Sequence, residues 1–210
     1  MAVGILVADM RAQDPARPPT RAPLVENDRV TVRRLPAVGG LVETMHITPQ
    51  DVVAIQLEPG QIEMQIGSQV TKGSPGRVWY LPKTVEHALF NRGLNPVDMM
   101  VVMLANEPTR PSAARVAPGS AEARPTTTLI DNDRVSVMRV PAPAGMAQEM
   151  HKSPQDMLAI QSSAGQIEVA VGDKRTAGQQ WSIWYLPKSL DHAVFNRGTG
   201  AAEMTVIAIK

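Results

Sequence analysis

The chain has 210 residues, 43% of them hydrophobic and 20% charged, with a formal net charge of +1. That length allows one or two domains, and the composition is that of a soluble globular protein. The near-zero charge gives no electrostatic drive toward nucleic acid or an acidic membrane, no apolar run approaches the roughly 20 residues needed to span a bilayer, and the lack of cysteine excludes disulfides, thiolate metal sites and a cysteine nucleophile.

Residues 1–23 stand apart from the rest. MAVGILVA is apolar, and DMRAQDPARPPTRAP is polar and rich in proline. A complete signal peptide has a basic start and an apolar stretch before a small-residue cleavage site. The basic start is missing here. Two readings are open, the tail of a signal peptide or a disordered N-terminus. The apolar stretch leans toward export to the periplasm, with a cytoplasmic location as the alternative. Both place the segment outside the fold.

From Leu24 onward the pattern is that of strands. Val30 and Val32 alternate with polar residues, and VVAIQL, QIEMQI, VWYL and MMVVML follow, broken by Gly and Pro. No segment carries a sustained helical period. Short strands with turn signals predict an all-β fold, a sandwich or a barrel. Residues 106–128, rich in Pro, Ala, Ser and Thr, read as an extended linker.

The pattern then starts again. NDRVTVRRLPA at 27–37 matches NDRVSVMRVPA at 132–142, and WYLPKTVEHALFNRG at 79–93 matches WYLPKSLDHAVFNRG at 184–198. The offset is 105 throughout, with 38 identities over the 82 aligned positions of 24–105 and 129–210. The chain therefore reads as a duplicated domain. A lone barrel of this size buries a modest core. The two copies are expected to pack against each other with pseudo-two-fold symmetry, and a homo-oligomer is a further option.

All four histidines fall on equivalent positions of the repeats: His46 in MHITPQD, His151 in MHKSPQD, His87 in HALFN and His192 in HAVFN. These motifs resemble those of the cupin family, and the doubled chain resembles a bicupin. The family's first motif has the form G-x5-H-x-H-x3,4-E-x6-G. Gly40, His46, Thr48, Val53 and Gly60 occupy that frame in one copy, and Gly145, His151, Ser153, Leu158 and Gly165 in the other. The second motif, G-x5-P-x-G-x2-H-x3-N, is met by Gly76, Pro82, Thr84, His87 and Asn91, then by Trp181, Pro187, Ser189, His192 and Asn196.

The resemblance implies two tandem cupin-like β-barrels, of the double-stranded β-helix or jelly-roll type. It also implies one divalent transition metal, Zn, Fe, Mn, Ni or Cu, held in the lumen by three histidines and a carboxylate. Here each copy keeps two of the four ligands. Thr48 or Ser153 replaces the second histidine, and Val53 or Leu158 the glutamate. Asp51 and Asp156 share strand parity with Val53 and Leu158, so they are expected to point inward, roughly 7 Å away along a regular strand. Glu149 occurs only in the second copy, which makes that copy the better candidate for metal. The candidate sets are therefore His46, His87 and Asp51, and His151, His192, Asp156 and Glu149, with no metal as the alternative. Arg34 and Arg139 share parity with Val30 and Val32 or Val135 and Val137, so they are candidate anion contacts in the barrel interior. The other reading makes them rim residues whose stems pack on the wall.

The expected function is a bicupin that binds a small polar or acidic ligand in one or both barrels, with metal weak or absent. Candidate pocket residues are the four histidines with Thr48, Ser153, Arg34 and Arg139. The alternatives are a metal-dependent oxygenase, isomerase or lyase acting on a small organic acid or sugar derivative, and a structural barrel with a filled interior.

Overall fold

The computed structural model describes residues 22–106 and 126–210. The leader expected at 1–23 and the linker expected at 106–128 lie almost wholly outside the described residues. Among those residues there are sixteen strands and no helix. The first repeat forms β1 (Val25–Glu26), β2 (Val30–Ala37), β3 (Val52–Gln56), β4 (Ile62–Ile66), β5 (Gln69–Lys72), β6 (Val78–Leu81), β7 (His87–Asn91) and β8 (Val97–Leu104). The second forms β9 (Thr127–Asp131), β10 (Val135–Ala142), β11 (Asp156–Gln161), β12 (Ile167–Val171), β13 (Lys174–Ala177), β14 (Ile183–Leu186), β15 (His192–Asn196) and β16 (Ala202–Ile209). Strand β9 takes up Thr127 and Thr128, which composition had assigned to the linker.

Each repeat builds two antiparallel sheets. The first has a five-stranded sheet in the order β1-β2-β8-β3-β6 and a three-stranded sheet in the order β5-β4-β7. The second repeats this as β9-β10-β16-β11-β14 and β13-β12-β15. The all-β architecture expected from the strand pattern, with the jelly-roll form that the resemblance implied, is present twice.

The five-stranded sheets are buried on both faces, and the two faces do different work. One face meets the three-stranded sheet of its own repeat and forms the barrel interior. In the first repeat Ala37, Val52, Ala54 and Met99 pack there with Ile62, Met64 and Trp79. In the second, Ala142, Ala159 and Met204 pack with Ile167, Val169 and Trp184. The opposite face meets the other repeat. Val30, Val32, Val53, Ile55, Val102 and Leu104 join Val135, Val137, Leu158, Ile160, Ile207 and Ile209 in one cluster. Burial of such a side chain stabilises by about 1.5–3 kcal/mol, so this central cluster makes one unit of the two barrels. The pseudo-two-fold packing expected from the duplication is observed.

Charged pairs flank that cluster. Arg134 Nε lies 3.0 Å from Asp51 Oδ2, and its Nη2 donates to the Ala105 carbonyl (2.6 Å), so the second repeat grips the first. The symmetric pair, Arg29 Nε with Asp156 Oδ2, is longer at 3.5 Å. The other carboxylate oxygen of each aspartate accepts the backbone N–H of Lys83 or Lys188, both at 3.0 Å. Tyr80 and Tyr185 hydrogen-bond the same aspartates. Burial, with the adjacent carboxylate, pushes both phenols up to about 12.

Turns are set by local polar chemistry. Asn91 Nδ2 donates to the carbonyls of Ala37 and Asn95, both at 2.8 Å, and its Oδ1 accepts the Gly93 N–H. Asn196 repeats these bonds. The turn before β6 places Gly76 at φ 77°, a left-handed conformation that glycine adopts freely. The equivalent turn before β14 places Trp181 at φ 69°. For a side chain of that bulk this costs about 1–2 kcal/mol.

Candidate functional site

The four histidines assemble as two pairs, one per barrel. His46 lies in the segment leading to β3, and His87 opens β7. Their backbones form an antiparallel bridge, with His46 N–H to His87 O at 3.0 Å and His87 N–H to His46 O at 2.9 Å. The rings lie 4.7 Å apart between centroids, tilted by 60°. His151 and His192 reproduce the arrangement, also at 4.7 Å. His87 and His192 are buried, and His46 and His151 half-buried.

Each ring is oriented by its own backbone. His46 Nδ1 contacts the Thr44 carbonyl at 3.0 Å, His87 Nδ1 that of Val85 at 3.0 Å, His151 Nδ1 that of Glu149 at 2.9 Å, and His192 Nδ1 that of Leu190 at 3.2 Å. A carbonyl oxygen has no proton to give, so Nδ1 is the donor in all four. In the neutral ring Nε2 is then the bare nitrogen, available as an acceptor or a ligand atom.

The two barrels use that nitrogen differently. Ser153 Oγ lies 3.0 Å from His192 Nε2 and donates to it. In the first barrel the equivalent hydroxyl, Thr48 Oγ1, turns to the Gln50 carbonyl (2.7 Å) instead. His87 Nε2 thus has no hydroxyl cap. Burial also lowers the affinity of His192 for a proton, aided by the neighbouring His151, although the hydrogen bond to Leu190 opposes the shift.

The carboxylates expected beside the histidines are elsewhere. Asp51 and Asp156 have the parity of Val53 and Leu158, but that face looks toward the other barrel, where Arg134 and Arg29 bind them. Their inward placement is corrected by this register. The side chains that do face the interior at this point are Val52 and Met157, also apolar. Glu149 is exposed, and its described contact with His151 is through its carbonyl. Among the described residues no group of three or more His, Asp or Glu side chains is placed to hold a metal. Two imidazoles, one hydroxyl and an apolar side chain do not fit the set of three histidines and a carboxylate; two imidazoles fall short of the four ligands such metals take.

Arg34 and Arg139 also lie on the inter-barrel face, with Val30, Val32, Val135 and Val137, and not in the lumen. Arg139 pairs with Glu203 at 3.2 Å. Sequence reasoning missed Arg29, Arg134, Tyr80 and Tyr185. Their signal was identity at offset 105, which looked the same for interface and lumen residues.

No family model matches the sequence, and no curated protein matches it. Solved structures do match its fold. AerE from Microcystis aeruginosa superimposes with a TM-score of 0.69 at 14% identity, covering 90% of this chain and 96% of that one. A cupin 2 conserved barrel domain protein from Leptotrichia buccalis gives 0.62 at 14% identity, covering 89% and 86%. Salicylate 1,2-dioxygenase from Pseudaminobacter salicylatoxidans gives 0.71 at 7% identity, covering 87% and 71%. The chain folds as a bicupin. At these identities the likeness is one of fold, and it carries no chemistry over to this chain.

Proposed function

We propose that this bicupin binds a small hydroxylated or acidic molecule at the histidine pair of its first barrel, without a resident transition metal. The observation that carries the reading is the contact of His46 and His87 Nδ1 with backbone carbonyls, which places the ring proton there, beside the uncapped His87 Nε2. Neutral Nε2 atoms accept from a ligand hydroxyl or protonated carboxyl. Once protonated, they donate to a carboxylate. In the second barrel Ser153 already occupies His192 Nε2, so a ligand there must displace a hydrogen bond first. This reverses the preference for the second copy that Glu149 had suggested. The structural likeness to a salicylate dioxygenase makes small aromatic acids reasonable members of a ligand panel. The donor set, two imidazoles and a hydroxyl per barrel among the described residues, falls short of what a transition metal takes.

Long-range proton–nitrogen NMR of the imidazoles tests this directly. Without ligand, the neutral rings should show Nδ1 protonated and Nε2 bare. Titration with a panel of small hydroxy acids and dicarboxylates should move the His46 and His87 Nε2 resonances before those of His151 and His192. His87→Gln should weaken the responding ligand by about tenfold. Stoichiometric transition metal that survives dialysis against a chelator would overturn the reading, as would a panel response confined to the second barrel.

A further inference from the structure

The repeats are near copies, so a corner where they differ is informative. At one edge of the inter-barrel interface Arg139 has partners: Glu203 lies 3.2 Å from its Nε, an ion pair without hydrogen-bond geometry, and its Nη2 donates to the Gly76 carbonyl at 3.3 Å. The symmetric corner brings Arg34 to the turn before β14, where Trp181 replaces Gly76. Arg34 has no hydrogen bond or ion pair with any described residue, and its Nε is buried without a partner. A cavity of about 310 Å³ opens there, lined in part by Leu24, Arg34, Thr176, Trp181, Ser182 and Trp184. Among the described residues Arg34 is the only charged one in its lining.

Two local costs converge on this cavity. A guanidinium nitrogen is desolvated and unpaired. A tryptophan holds the left-handed backbone conformation that the first repeat gives to glycine. The turn itself needs no indole, since Gly76 makes the same turn. Strain of this kind concentrates at ligand clamps. The adjoining cavity, on the Leu57 and Pro75 side of the same turn, carries Glu58 in place of an arginine and so disfavours anions.

We propose that the Arg34–Trp181 cleft between the barrels is a second small-molecule site, and that it binds an aromatic carboxylate. The guanidinium fork matches a carboxylate, and the indoles of Trp181 and Trp184 offer apolar surface to the ring. The volume lies at the small end of the range for ligand pockets, which suits one ring in place of a larger scaffold. This site uses none of the histidines and is independent of the reading of the first barrel.

Benzoate is the probe, followed by saturation-transfer NMR on the full chain. The wild type should give a saturable signal. Arg34→Leu should weaken it by about tenfold or more, the loss of a charge-assisted bidentate pair. Arg139→Leu, at the closed corner, should stay within about twofold. Circular dichroism checks that each variant is folded. Should Arg34→Leu unfold, Trp181→Gly carries the test, because it installs the first repeat's own turn residue and should also lose the signal. No saturable binding by folded wild type overturns the proposal, and so does unchanged binding in both cleft variants. Loss of the signal with His87→Gln and not with Arg34→Leu would place benzoate in the first barrel and overturn it equally.

Discussion

A single hydroxyl separates the two histidine pairs. Thr48 and Ser153 both stand where the cupin motif would place a second histidine, yet Thr48 bonds its own loop and Ser153 bonds His192. The buried His192 has a proton affinity below the ordinary 6.5, chiefly through desolvation. The unfolded chain therefore binds more protons than the folded one just below pH 6.5. Folding stability contributed by this group is present above 6.5 and is lost as pH falls through that value toward the lower folded one. Urea midpoints measured from about pH 8 down to about pH 5 should fall on the acid side. His192→Asn should flatten that part of the decline; an unchanged slope would remove His192 as its source.

At the scale of the element, β3 shows what the sequence could reveal and what it could not. The offset of 105 exposed the duplication, and the Pro-x4-His-x3-Asn spacing picked out His87 and Asn91, which the structure puts at the two ends of β7. Parity also correctly grouped Asp51 with Val53. Which face of the sheet enclosed the lumen was not legible, because all five residues of β3 are buried. Alternation marks the interior only where the other face meets water. When a second barrel covers that face, both sets of residues are apolar, and the frame for Val53, Asp51 and Arg34 is reversed. The consequence is measurable. Asp51 belongs to the inter-barrel contact, so Asp51→Ala takes the carboxylate from a buried Arg134, leaving the Ala105 carbonyl bond, and should cost about 3 kcal/mol. Asp156→Ala breaks a longer and more exposed pair, at 3.5 Å against 3.0 Å, and should cost about 1–2 kcal/mol. Denaturant melts of the two variants compare these values. Equal losses would mean that the shared backbone and tyrosine bonds, not the ion pairs, set the energy.

For the whole molecule, the barrels are joined by a face that neither could expose alone. Val135, Val137, Leu158, Ile160, Ile207 and Ile209 would form one continuous apolar patch on an isolated second repeat. A patch of that kind seeks a partner. The nearest available partner is another copy of the same repeat, since the two halves already present closely similar surfaces across a pseudo-two-fold axis. Residues 126–210 expressed alone should therefore form a homodimer or aggregate, and mixing with residues 22–106 should draw both into a one-to-one complex, read by size-exclusion chromatography with light scattering. The two tyrosines of the chain report on the same contact, because both lie beside the interfacial aspartates. In the intact chain both phenols ionise at about 12, so the stability they contribute is present below the ordinary 10.0 and is lost as pH rises through the folded value. Alkaline absorbance titration of the native chain should show no phenol ionising near 10.0. In a repeat held monomeric by Leu158→Asn, Tyr185 loses its cover without gaining a charged neighbour and should return toward 10.0. A monomeric, soluble second repeat without that substitution would show that its outer face does not need the first barrel, and the duplication would then require another explanation.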